Sequence, residues 1–144
     1  MADEAITMVL DDISENVKKL TITWLCASGA ATIVATDTDS KISAELFGWW
    51  CEFCVVNPGA TAPTDNYELV LNDAAGAKIF GGQTDDCDTA NSETFFPLLA
   101  GSAAATYSAH FGPRLISSPI TFDITSNSQN GALGTVEIFF SRNR

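Results

Sequence analysis

The chain has 144 residues, 46% of them apolar, which suits one domain with a real core and excludes wholesale disorder. Eighteen acidic residues against seven basic ones give a formal charge of −11. That field disfavours direct nucleic-acid binding and anionic membrane surfaces, and it favours solubility and a basic partner.

No apolar run reaches the ~18 residues that span a bilayer. The opening Met1-Ala2-Asp3-Glu4 is acidic and lacks the basic-then-apolar order of a secretory leader, so a protein made and kept in the cytosol, or leaving it by a route other than secretion, is expected. Residues 1–17 read as an N-terminal arm or an edge strand, with Ala5 to Leu10 strand-like and Asp11 to Lys19 a turn or short helix. Ile6, Met8 and Leu10 share a face there, and such a segment can add a strand to a partner's edge.

Residues 18–144 read as one β domain. Leu20, Ile22, Trp24 and Cys26 alternate with Thr21 and Thr23, the period-two pattern of a half-buried strand. Ser28-Gly29 marks a turn, and Ala31 to Ala35 reads as a returning strand. Lys41 to Val56 reads as a long strand, with a bulge or bend at Gly48. Tyr67, Leu69 and Leu71 share a face, and Asn72 to Gly76 is a turn. Gln83 to Glu93 is a polar, acidic loop with room for one helical turn. Gly101 to Ala105 is small and flexible in composition, and Tyr107 to Phe111 suits a short strand. Ile120, Phe122 and Ile124 alternate, as do Val136, Ile138 and Phe140, so these two strands are expected to form a hairpin across Ser126 to Gly131. About eight short strands, many turns and no long helix predict an all-β fold: a single-domain antiparallel β-sandwich, jelly-roll-like.

The four cysteines stand at 26, 51, 54 and 87. On a strand, a spacing of three puts Cys51 and Cys54 on opposite faces, whereas tetrahedral zinc needs converging thiols. Buried free thiols are the expectation. Three aromatic doublets occur, Trp49-Trp50, Phe95-Phe96 and Phe139-Phe140. Neighbours on a strand point to opposite faces, so a core ring has a twin directed outward, covered either by the chain's own loops or by a subunit interface. Trp50 and Phe139 are the interface candidates.

Signs of catalysis are sparse. The single histidine, His110, lies between aromatic residues, with no G-x-S-x-G, P-loop, H-E-x-x-H or G-x-G-x-x-G in the chain. Asp85, Asp86 and Asp88 form the densest acidic cluster, without the glycine and glutamate of a calcium-binding EF-hand. It reads as a solvated loop. No enzyme activity and no cofactor are expected.

Two stretches carry a resemblance. The first runs from Asn57-Pro58-Gly59 through Pro63 and Tyr67, then Leu71, Asp73 and Gly76, Gly81-Gly82, Asp88 to Glu93, and Phe96-Pro97. The second runs from Pro119 to Asn127 and from Gly134 to Phe140. Over residues 46–142 the chain resembles a family of small tailed-bacteriophage virion structural proteins. The resemblance implies a protein of the virion, assembled in the host cytoplasm. A capsid decoration or cement protein, bound to the major capsid protein as a homo-oligomer, with a trimer favoured, is the first expectation. A head–tail connector, neck or tail adaptor is the alternative. On this reading the loop with Pro58, Gly59 and Pro63 is a stiff connection that serves as a contact surface or as a turn at the sandwich rim, and replacing residues 59–64 with a flexible run is expected to weaken assembly while leaving the monomer folded. A β-sandwich module binding carbohydrate or a host surface through Trp49 or Trp50 is the further alternative, and a hydrolase with paired carboxylates stands last.

Overall fold

A computed structural model describes residues 4–100 and 110–142. The expectations for Gly101 to Ala105 and for Tyr107 to Ala109 lie outside the described residues. The chain opens with β1 (Ala5–Ser14) and β2 (Val17–Leu25), a hairpin in which Met8 lies opposite Ile22 and Leu10 opposite Leu20. The N-terminal segment is therefore an edge strand, and the 11–19 stretch holds a tight turn with no helix. β3 (Ile33–Asp37) follows and pairs away from β2, in the other sheet.

The Lys41 to Val56 run is not one strand. Its first part is a short helix, α1 (Ser40–Leu46). The Asp39 carboxylate caps it by accepting from the Ile42 N–H at 2.8 Å, which satisfies one of the orphan donors of a helix start. Ile42 and Leu46, four apart, bury one face, and the Thr38 and Ser43 hydroxyls pair beneath it at 2.7 Å. The chain turns at Gly48 into β4 (Trp50–Pro58). After β5 (Glu68–Asn72) and a 3-10 turn at Gly81–Asp85 come β6 (Glu93–Phe95), β7 (Leu98–Ala100), β8 (His110–Phe111), β9 (Arg114–Leu115), β10 (Thr121–Thr125) and β11 (Leu133–Ser141).

The fold is all-β and antiparallel, as the alternation predicts, with the count above eight because several strands have only two or three residues. The large sheet runs β1-β2-β11-β4-β6, with β9 also on β4; the second runs β3-β10-β5, and β7 pairs with β8. Leu20, Ile22 and Trp24 of β2, Val136, Ile138 and Phe140 of β11, and Cys54 and Val56 of β4 supply the buried face of the large sheet. Leu69, Leu71, Phe122 and Ile124 supply that of the second.

Two local readings are corrected. β10 and β11 do not form a hairpin, because they belong to different sheets. Their connection crosses between layers and turns around Asn127, which is only 8% exposed. Cys51 and Cys54 are both fully buried, on the core side of β4. The register against β11 slips between Phe139, opposite Phe53, and Phe140, opposite Cys51, so Glu52 is an extra residue in β4. That bulge restores the phase a spacing of three would break. The thiols are free, and burial raises both above the usual thiol pKa, well above for Cys51.

A candidate interaction surface on the large sheet

The outer face of the large sheet carries a row of phenylalanines. β11 lies between β2 and β4, and its alternation sends Phe140 into the core and Phe139 outward. Phe53 lies directly across on β4, and the two rings stack at 4.6 Å with 17° between planes. Beyond it, Phe95 at the end of β6 turns inward while Phe96 turns outward and stands 51% exposed. The Phe53 and Phe96 rings are tilted at 6.3 Å. Val17, Pro113 and the bulged Glu52 complete an apolar groove of about 560 Å³. Glu52 does not reach freely into it, because its carboxylate accepts from the Ser141 hydroxyl. Three rings in a row leave an apolar surface of the kind that marks a binding face.

Of the sequence candidates, Phe139 lies in this groove. Trp50 is half-buried and pairs with Ser141 and with Leu115, which is 47% exposed. Trp49 is buried, with Lys18 and Arg142 at 5.0 and 5.1 Å from its ring centroid, so it is no open stacking platform. Ile6, Met8 and Leu10 line the inner face of β1, half-buried against the core. They are not brought to the groove. Phe53 and Phe96 belong to it and were not among the sequence candidates. Phe96 was legible as the second member of a doublet. Phe53 was not, because its direction depends on the bulge.

The loop from Asn57 to Asn66 is part of the fold more than a contact surface. Pro58 and Gly59 are half-buried and Pro63 is buried, which removes Pro63 from any exposed interface. The Gly59 N–H donates to the Leu133 carbonyl at 2.9 Å, and the Leu133 N–H donates to the Thr61 carbonyl at 2.9 Å. A β-carbon at Gly59 would fall 2.7 Å from that same Leu133 carbonyl oxygen. The Thr89 hydroxyl donates to the Pro63 carbonyl. Asn127 then ties the loop to the β10–β11 connection: its Oδ1 accepts from the Thr64 N–H at 2.8 Å and from the Gln129 N–H at 3.0 Å.

The acidic loop is spent on local structure. Asp85 pairs with Lys78 at 2.7 Å. The Asp88 carboxylate accepts from the Ala90 N–H at 2.6 Å and the Asn91 N–H at 3.0 Å, and these bonds hold its pKa below the usual value. Cys87 is buried nearby; burial first, then the Glu93 charge, pushes its thiol up to about 12. Asp123 on β10 is raised by burial and by the Glu68 charge, and its Oδ1 is buried without a hydrogen-bond partner. Comparison with protein-family models, curated proteins and solved structures finds no match to this chain.

Proposed function

We propose that this chain is a structural protein of a tailed-bacteriophage virion, a capsid decoration or cement protein that docks on the capsid through the outer face of its large sheet. The observation that carries the docking face is the outward row Phe96, Phe53 and Phe139, which leaves a 560 Å³ apolar groove on a chain of net charge −11. Covering such rings contributes several kcal/mol at ~25 cal/mol per Å², and an acidic body around an apolar patch favours a basic partner surface. The virion setting itself rests on the sequence resemblance over residues 46–142.

The test is gold-antibody labelling of particles of the encoding phage, imaged by electron microscopy. Label over the head supports decoration. Label at the neck or tail moves the reading to a connector or adaptor. No label on any particle overturns an exposed virion position.

A further inference from the structure

β1 closes the large sheet on one side. β2 pairs along it, and among the described residues no strand pairs with its other side. An open edge presents backbone N–H and C=O groups whose natural partner is another strand, and proteins usually blunt such edges with proline, charge or a bulge. Ala5 to Leu10 has none of these: its register shift lies beyond, between Asp12 and Ser14. Ile6, Met8 and Leu10 are left half-open on its inner face, and Val9 is 46% exposed on the outer. Beside the edge a groove of about 270 Å³, walled by Met8, Leu10 and Ile42 with the charged Asp39, Lys41 and Glu45, runs between β1 and α1.

We propose that this edge joins two copies of the chain, β1 to β1 and antiparallel, about a two-fold axis at Met8. Residues directly opposite in an antiparallel pair share a face. With Met8 opposite Met8, Ile6 meets Leu10 and Thr7 meets Val9, so the three inner-face apolar residues of one copy meet those of the other. A slip of one residue sets Ile6 against Asp11, mixing the two faces. A slip of two sets Ile6 against Asp12 or Leu10 against Glu4. The segment is thus self-complementary in one register. Just beyond the paired stretch Asp12 faces the second copy's Glu4; Lys18, 2.5 Å from Asp12 and shared with Glu45 at 3.6 Å, offsets part of that repulsion. The seven paired residues, Ala5 to Asp11 with Ala5 opposite Asp11, span about 24 Å at ~3.4 Å each, and one sheet then runs through both copies. A strand edge is small beside the ~800 Å² per partner of a standard interface, so the dimer is reversible. It makes the unit two-fold, where the resemblance implies a trimer.

Two copies at −11 repel, and salt screens that repulsion beyond roughly 10 Å at 0.1 M. Self-association therefore strengthens as salt is added, the reverse of binding to a basic partner. The test is analytical ultracentrifugation of the purified full chain across concentration at low and high salt, with cysteine cross-linking. The expected result is a mass that doubles from 15.3 kDa, at lower concentration in high salt. Met8→Cys with oxidised glutathione should yield a disulfide-linked dimer, two thiols giving one disulfide and two reduced glutathiones. Ile13→Cys, outside the paired segment and 54% exposed, should stay monomeric on the same gel. Met8 is half-buried, so mixed Thr7→Cys and Val9→Cys chains, both at exposed sites, provide a second reading through a cross-linked heterodimer. A monomer at every concentration and salt, or an oligomer in which Ile13→Cys links and the edge pairs do not, overturns the proposal. Both readings come from the isolated chain, so they stand apart from where antibody lands on a virion.

Discussion

Removing the Asn127 side chain should destabilise the protein far more than its loop position suggests. The residue is 8% exposed. Its Oδ1 accepts from the Thr64 N–H at 2.8 Å, the Thr64 hydroxyl at 3.2 Å and the Gln129 N–H at 3.0 Å. Its Nδ2 donates to the Ala31 carbonyl at 2.8 Å and the Gln129 carbonyl at 3.1 Å. Three loops meet on one amide. In Asn127→Ala the partly buried backbone groups of Thr64 and Ala31 lose their partner, at about 1–3 kcal/mol for each group left unsatisfied. Water reaches some of the exposed rim, so the expected loss is about 3–4 kcal/mol. At ~3–4 °C per kcal/mol for a domain of this size, Tm falls by roughly 10–15 °C. Thr64→Val removes only the hydroxyl's contacts and should cost about 1 kcal/mol. Urea unfolding followed by circular dichroism measures both, and an unchanged m-value keeps the comparison two-state. Amide exchange at Thr64 should also quicken in Asn127→Ala. A loss below 1 kcal/mol with Thr64 still protected refutes the idea that Asn127 joins the loops.

Phe96→Lys, at a side chain 51% exposed, should move stability by no more than about 0.5 kcal/mol yet abolish binding to isolated capsids in a pelleting assay; full binding removes the groove as a docking face. In Gly134→Ala the new methyl would lie 2.7 Å from Trp24 Cζ2 and 2.8 Å from the Asn57 carbonyl oxygen. Overpacking of this kind costs about 1–3 kcal/mol, and Trp24→Phe in the same chain should recover part of it by thermal melt, because the smaller ring withdraws the clashing atom. Asp123→Asn should stabilise at neutral pH. Burial and Glu68 raise the folded-state pKa of Asp123, so the ionised form is penalised above that pKa and the penalty vanishes once both states are protonated. The gain is therefore present at pH 7 and fades as pH falls through the raised pKa toward the ordinary carboxylate value; a gain that grows on acidification contradicts the assignment.

The strands whose side chains alternate were readable from the chain alone, because a half-buried strand writes its two faces directly into residues such as Leu20, Ile22, Trp24 and Val136, Ile138, Phe140. α1 was not read, since its seven residues begin an apolar stretch that continues into β4. Its signals were Asp39 as a cap and the four-residue step from Ile42 to Leu46. The bulge at Glu52 was invisible because a bulge is a property of two strands, and only the β11 partner reveals it. Counted from Cys51 by alternation, Phe53 points inward; the extra residue sends it out beside Phe139. The β10–β11 connection was misread for a related reason: turn residues report that the chain bends, and the sheet it enters afterward is decided by distant groups such as Thr64 and Ala31. Those groups also tie the 57–66 loop into the fold, which fits a turn at the sandwich rim and goes against the expectation that residues 59–64 can be replaced without cost to the monomer.

The order β1-β2-β11-β4-β6 has a consequence for synthesis on the ribosome. β11 comes last among these strands and occupies the middle of the sheet, hydrogen-bonded to β2 on one side and β4 on the other. Until it emerges, the hairpin of β1 and β2 has no bridge to β4, and Leu20, Ile22, Trp24, Cys54 and Val56 lack their central neighbours. Pairing over such sequence distances is slow. Until then each nascent chain stands as two unjoined halves with an open seam. The seam closes only once β11 has emerged, and a chain stopped before Leu133 has no route to the native sheet.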